Sequence, residues 1–82
     1  MNIYEFKEEK ITLLYDEKDK EIRLYNFIIP SKLTEDFKVS KEDILQYHSD
    51  PIYSKPVRGG VNEKKLKRII KEYKKQKGVK NG

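Results

Sequence analysis

The chain has 82 residues, of which 40% are charged and 35% hydrophobic, with a net charge of +5 and no cysteine, so it builds one small domain around a single thin core. The missing cysteines exclude a disulfide scaffold, a cysteine-rich zinc site and thiol catalysis, and the lone His48 leaves no histidine-based metal site. No apolar stretch is long enough to span a bilayer and the N-terminus lacks the basic-then-apolar layout of a signal peptide, so a soluble, cytoplasmic protein is expected.

In chain order, Ile3 to Phe6 reads as a short strand ahead of the charged run Lys7 to Lys10. Ile11, Leu13 and Tyr15 then alternate with Thr12 and Leu14, and a second β-rich run begins at Glu21 after five charged residues, so the two runs are expected to form a hairpin. The second run puts Ile22, Leu24, Asn26 and Ile28 on one face and Arg23, Tyr25, Phe27 and Ile29 on the other, with Pro30 ending it. Apolar groups on both faces fit a central strand covered on each side, or a bulged strand that changes its facing midway. Tyr15 and Tyr25 are expected to pair across this hairpin, the alternative being a patch for stacking bases or docking a partner.

Ser31 to Asp36 reads as a polar connection and Phe37-Lys38-Val39 as a brief further strand. Ser40 is placed to cap a short helix carrying Ile44, Leu45 and Tyr47, with Asp43 at the positive end of its dipole and Pro51 barring continuation. The stretch from Pro51 to Gly60 has two prolines, two glycines and no helical period, so it is a loop or an extended segment. Asn62 is placed to cap the last helix, in which Leu66, Ile69, Ile70 and Tyr73 follow the i, i+3, i+4, i+7 spacing of one apolar face. Gly78 is expected to stop that helix and residues 79–82 to fray.

The expected fold class is α+β within a single domain, residues 1–82. It comprises a small antiparallel sheet of three to four short strands over residues 3–39, a short helix over 41–48 and a basic amphipathic helix over 63–77. The last helix is expected to pack Leu66, Ile69, Ile70 and Tyr73 on Ile11, Leu13, Ile22, Leu24 and Phe27.

Charge is divided unevenly along the chain. Residues 55–82 hold 11 basic and 2 acidic residues, a local +9, which leaves 8 basic and 12 acidic residues in 1–54, a local −4. Such a division points to a polyanionic partner for one end. Of the 19 basic residues 16 are lysine, and point charges suit contact with a phosphate backbone better than base reading. The candidate nucleic-acid contacts are Lys55, Arg58, Lys64, Lys67, Arg68, Lys71, Lys74 and Lys75. The competing reading of the same lysines is a solvated face that keeps a lean domain in solution.

Arg58, Gly59 and Gly60 form a second candidate, an anion-binding loop ahead of a helix N-terminus. The alternative is that the glycines only make the turn into the helix, and the loop does not match the GxxxxGK signature followed by Ser or Thr. Tyr47, His48, Asp50 and Tyr53 are the one cluster with acid–base potential, but no nucleophile or second catalytic group stands at a defined spacing from them. His48 reads more simply as a surface residue near a helix end, and the acidic residues show no calcium-loop spacing. No enzyme activity, cofactor or metal is expected.

The order from Phe37 to Val79, strand, connection, Pro-x-Arg loop, basic helix and Gly-Val, resembles the opening of the nuclease-like domain of chromosome-partitioning proteins. Those domains carry a further strand and an arginine-containing segment that this sequence lacks, so the resemblance assigns no family. Two functions follow from the residues. The leading one is a small accessory protein that binds DNA or RNA through the phosphate backbone by its basic helix. The other is a protein-binding module or inhibitor that docks by charge on a larger protein partner.

Overall fold

Two charged tetrapeptides, Lys7 to Lys10 and Glu17 to Lys20, punctuate three β-rich runs and fold the first part of the chain into a meander. The computed structural model describes residues 2–79, the side chains of 78 and 79 excepted. Its first strands are β1 (Asn2–Phe6), β2 (Ile11–Asp16) and β3 (Glu21–Tyr25). Antiparallel pairing sets Phe6 opposite Ile11 and Tyr4 opposite Leu13, then Leu13 opposite Leu24 and Tyr15 opposite Ile22. Each turn ends on a lysine in the left-handed region, Lys10 at φ 57° and Lys20 at φ 53°.

The sheet is not confined to residues 3–39 as expected: its fourth strand, β4 (Tyr53–Pro56), is added to β3 only after the chain has passed through two helices, α1 (Ser31–Phe37) and α2 (Lys41–His48). Leu24 lies opposite Tyr53 and Ile22 opposite Lys55, giving a sheet in the order β1-β2-β3-β4. Pro56 is tolerated because it lies at the end of an edge strand, where no inner ladder needs its missing N–H. The last element is α3 (Glu63–Val79). The fold is therefore α+β, with the short and the long basic helix as expected.

The two-faced pattern of the hairpin has a direct cause: β2 is buried along its whole length. On one side Ile11, Leu13, Tyr15, Ile22 and Leu24 pack with Val57 and with Leu66, Ile69 and Ile70 of α3. On the other, Leu14, Tyr25 and Ile29 pack with Leu45 of α2. Burial of Leu66, Ile69 and Ile70 contributes roughly 1.5–3 kcal/mol each, whereas repulsion between neighbouring cations on α3 costs a few tenths of a kcal/mol per pair. Packing therefore decides that this lysine-rich stretch is a helix.

Four further expectations are corrected. Phe37-Lys38-Val39 is not a strand: Ser31 to Phe37 is helical, and Lys38, at φ 52°, caps it by donating its backbone N–H to the Thr34 carbonyl. This helix buries none of its residues, so it has no apolar stripe from which to read it. Second, Tyr15 and Tyr25 do not pair, because Tyr15 faces Ile22, Tyr25 faces Thr12, and the two rings belong to opposite faces of the sheet. Third, Phe27 lies beyond the end of β3 and meets Tyr25 edge-on at 5.9 Å rather than packing under α3. Fourth, Gly78 does not stop α3, which continues to Val79; the rest of the expected frayed tail, residues 80–82, lies outside the described residues.

Both helix caps form as read. The Ser40 hydroxyl accepts from the Asp43 N–H at 3.1 Å, and the Asn62 side-chain oxygen accepts from the Lys65 N–H at 2.8 Å. Among the described residues, no helix is long and apolar enough to cross a membrane.

Candidate functional site

Because Leu66, Ile69, Ile70 and Tyr73 turn toward the sheet, the remaining positions of α3 are sorted by geometry into a flank over β1, a flank over β4 and an outer ridge. At ~100° per residue, Lys64, Arg68, Lys71 and Lys75 fall within about 60° of one another and opposite the buried face. At ~1.5 Å per residue their stripe runs for about 16 Å along the helix. All four are exposed, and among the described residues none of them forms an ion pair.

Of the other expected contacts, Lys55, Lys67 and Lys74 are engaged. Lys67 pairs with Glu63 one turn earlier at 3.1 Å, and Lys74 pairs with Glu9 of the β1–β2 turn. On the opposite flank Lys55 of β4 meets Glu72 at 2.6 Å, near the rings of Tyr53 and Tyr73, which are tilted to one another with centres 6.0 Å apart. These are solvent-screened pairs, and each is worth roughly 0–1 kcal/mol. A phosphate can compete for such lysines, but only against a carboxylate already in place.

The loop of Arg58, Gly59 and Gly60 has a different local chemistry from the one its glycines suggest. Gly59 takes φ 73°, the conformation that explains a glycine there. The Lys65 ammonium reaches back and donates to the Arg58 carbonyl at 2.8 Å and the Gly60 carbonyl at 3.2 Å. Asn62 meanwhile takes the Lys65 N–H, the third of the helix and one of those an anion would seek. The loop's carbonyl oxygens are thus spent on a cation, while the exposed Arg58 side chain extends the positive surface at the N-terminal end of the stripe.

What the sequence does not display is the β1 side of the helix. Phe6, half-buried at the end of β1, and Ile70 form the apolar part of a groove of about 570 Å³ whose rim is Lys64, Lys67, Arg68, Lys71, Lys74 and Glu9. That volume is within the roughly 300–1,000 Å³ usual for ligand sites. An aromatic ring does stand among the lysines, brought there from the other end of the chain by the sheet. Nothing in the local sequence around Phe6 signals this, since it follows from α3 crossing the β1 edge.

The acid–base cluster does not assemble into a site. His48 ends α2 and is exposed, and Tyr53 is taken up with Tyr73. The one strongly networked carboxylate, Asp16, serves the β2–β3 turn: its oxygens accept the N–H groups of Lys18 and Asp19 and lie 3.1 Å from Arg23. Those backbone N–H groups, chiefly that of Asp19, hold its pKa below the ordinary 3.8 against the opposing effect of burial. Among the described residues no group of three or more His, Asp or Glu is arranged to hold a metal ion. Comparison with protein-family models, with curated proteins and with solved structures finds no match for this chain.

Proposed function

We propose that the protein is a small, non-catalytic, cytoplasmic nucleic-acid-binding accessory protein that contacts the phosphate backbone through the outer ridge of α3. The observation that carries this reading is the stripe of Lys64, Arg68, Lys71 and Lys75, four exposed cations in line, without a carboxylate partner among the described residues and turned directly away from the core. A packing role does not account for cations placed there, and their mutual repulsion is relieved when they meet phosphates and release condensed counterions. Arg58 extends the same surface, and Lys55, Lys67 and Lys74 contribute only after giving up their carboxylates.

The test is the salt dependence of binding to a short duplex or single strand. Each phosphate contact contributes roughly 0.7–0.9 to the log–log slope, so changing all four stripe residues to Gln flattens it by about three units. The melting temperature of that variant stays near the parent's, because all four residues are exposed and none forms an ion pair among the described residues. A parent affinity weaker than about 10⁻⁴ M at physiological salt defeats the proposal.

A second reading, a protein-binding module or inhibitor, is favoured by the apolar side chains left outside on the helical segment between β3 and β4. Phe37 and Tyr47 are 69% and 70% exposed, with Leu33 and Ile52 partly so. Retention of one protein from a cell lysate after nuclease treatment, with loss dependent on Phe37 and Tyr47, favours this reading over the first.

A further inference from the structure

We infer that the groove between α3 and the end of β1 holds an unstacked base, so that the ligand is single-stranded nucleic acid rather than duplex. The inference rests on the phosphate-binding reading of α3 and adds to it the face of Phe6. The chemistry of the groove is divided: Phe6, partly buried against the core, and Ile70 supply its apolar lining, and Lys64, Lys67, Arg68, Lys71 and Lys74 its charged lining. Of these five cations Lys67 is paired with Glu63 and Lys74 with Glu9, and the three left over, Lys64, Arg68 and Lys71, call for an anion. An aromatic ring lining the same groove as those cations calls for that anion to carry a flat apolar group. A nucleotide unit is both, since every base has a π-face and every linkage a phosphate.

Duplex does not satisfy the site. Its bases are stacked inside the helix and only phosphates reach a protein ridge, so Phe6 would contribute nothing. A run of acidic residues would meet the cations but offers no ring for Phe6. The groove lining contains no side-chain hydroxyl or amide and its one carboxylate is occupied, so it holds no free side-chain acceptor for a 2′-hydroxyl, and little discrimination between ribose and deoxyribose is expected.

The experiment compares the intact protein's affinity for an oligothymidylate about ten nucleotides long, within the usual site sizes of single-strand binders, with that for three controls. These are a duplex of equal length, an abasic strand of equal charge and an oligoglutamate of equal charge. Stacking on one ring is expected to make the thymidylate bind about tenfold more tightly than the abasic strand. Phe6→Leu should remove most of that advantage while leaving duplex affinity unchanged, and Phe6→Tyr, which keeps the ring, should retain it. Oligouridylate should match oligothymidylate.

Equal affinity for the abasic strand and the thymidylate overturns the inference, even where Phe6→Leu fails to fold, because that comparison uses the parent protein. Oligoglutamate binding as tightly as thymidylate overturns it too, as does a preference of about tenfold for one sugar. Absence of binding to every strand form removes the phosphate-binding reading beneath it, whereas equal binding of thymidylate, abasic strand and duplex leaves that reading standing and removes the base from the groove.

Discussion

The Asp16 carboxylate and the Arg23 guanidinium meet at 3.1 Å across the β2–β3 hairpin, with Glu21 holding the other side of Arg23 at 2.8 Å. Asp16 is buried and also accepts two turn N–H groups, which together with Arg23 keep its pKa below the ordinary 3.8. A carboxylate with a lower pKa folded than unfolded stabilises the protein above its unfolded pKa and loses that contribution as pH falls through the folded value. Stability is therefore expected to decline below about pH 4, and Asp16→Asn should flatten that decline while lowering the neutral-pH melting temperature. Loss of about 1–2 kcal/mol is expected from the charge-assisted bonds. Thermal melts of both proteins from pH 7 to about pH 2 check this; parallel curves contradict it.

Ile69 and Ile70 are nearly inaccessible beneath α3. Ile69→Asp places an unpaired charge there, at a cost of several kcal/mol that rivals the roughly 5 kcal/mol holding a domain of this size together. The variant should lack a cooperative melt by circular dichroism. A parent-like melt would mean that α3 does not pack on the sheet.

Lys20 occupies a left-handed position that glycine adopts freely. Lys20→Gly relieves about 1–2 kcal/mol of backbone strain and loses part of it to the greater freedom of glycine in the unfolded chain. A net gain of about 0.5–1 kcal/mol is expected, a rise of a few degrees in melting temperature. The Lys20 carbonyl that accepts from the Val57 N–H is retained in the variant. A lower melting temperature would show that the lysine side chain contributes more than its backbone conformation costs.

Glu9 is both the one acid of the α3 groove and the partner of Lys74. Glu9→Gln removes a repulsive charge and frees a cation, so nucleic-acid affinity should rise and the salt slope should steepen by about one unit. Fluorescence anisotropy across a salt series reads both. Affinity that stays constant or falls would place the bound phosphates away from this flank.

The parts of the fold that were legible in the sequence are those with a period. Ile11, Leu13, Ile22 and Leu24 repeat every second residue, Leu66, Ile69, Ile70 and Tyr73 every three to four, and Ser40 and Asn62 stand where caps belong. In contrast, α1 has only the Leu33 and Phe37 pair at i, i+4, and both are exposed. A helix that buries nothing leaves no pattern. β4 was readable only as an extended stretch, because its partner is set by the return of the chain after α2 rather than by its own residues. For the candidate site, the cations were all visible, but which of them meet a carboxylate depended on tertiary placement: Glu9 and Glu72 neutralise Lys74 and Lys55 from distant segments. Phe6 was invisible as a groove residue for the same reason.

The seven residues of α1 bury none of their side chains, while β2 is buried from Ile11 to Asp16. Opening α1 therefore exposes almost no new apolar surface, and its amide hydrogens should exchange with solvent through frequent local opening. Those of β2, hydrogen-bonded to a strand on each side, should exchange only when the whole domain unfolds. The same chain thus holds a segment able to change shape at little cost beside a strand that cannot move without unfolding everything, and the first is where a partner could remodel the surface without disturbing the ridge of α3.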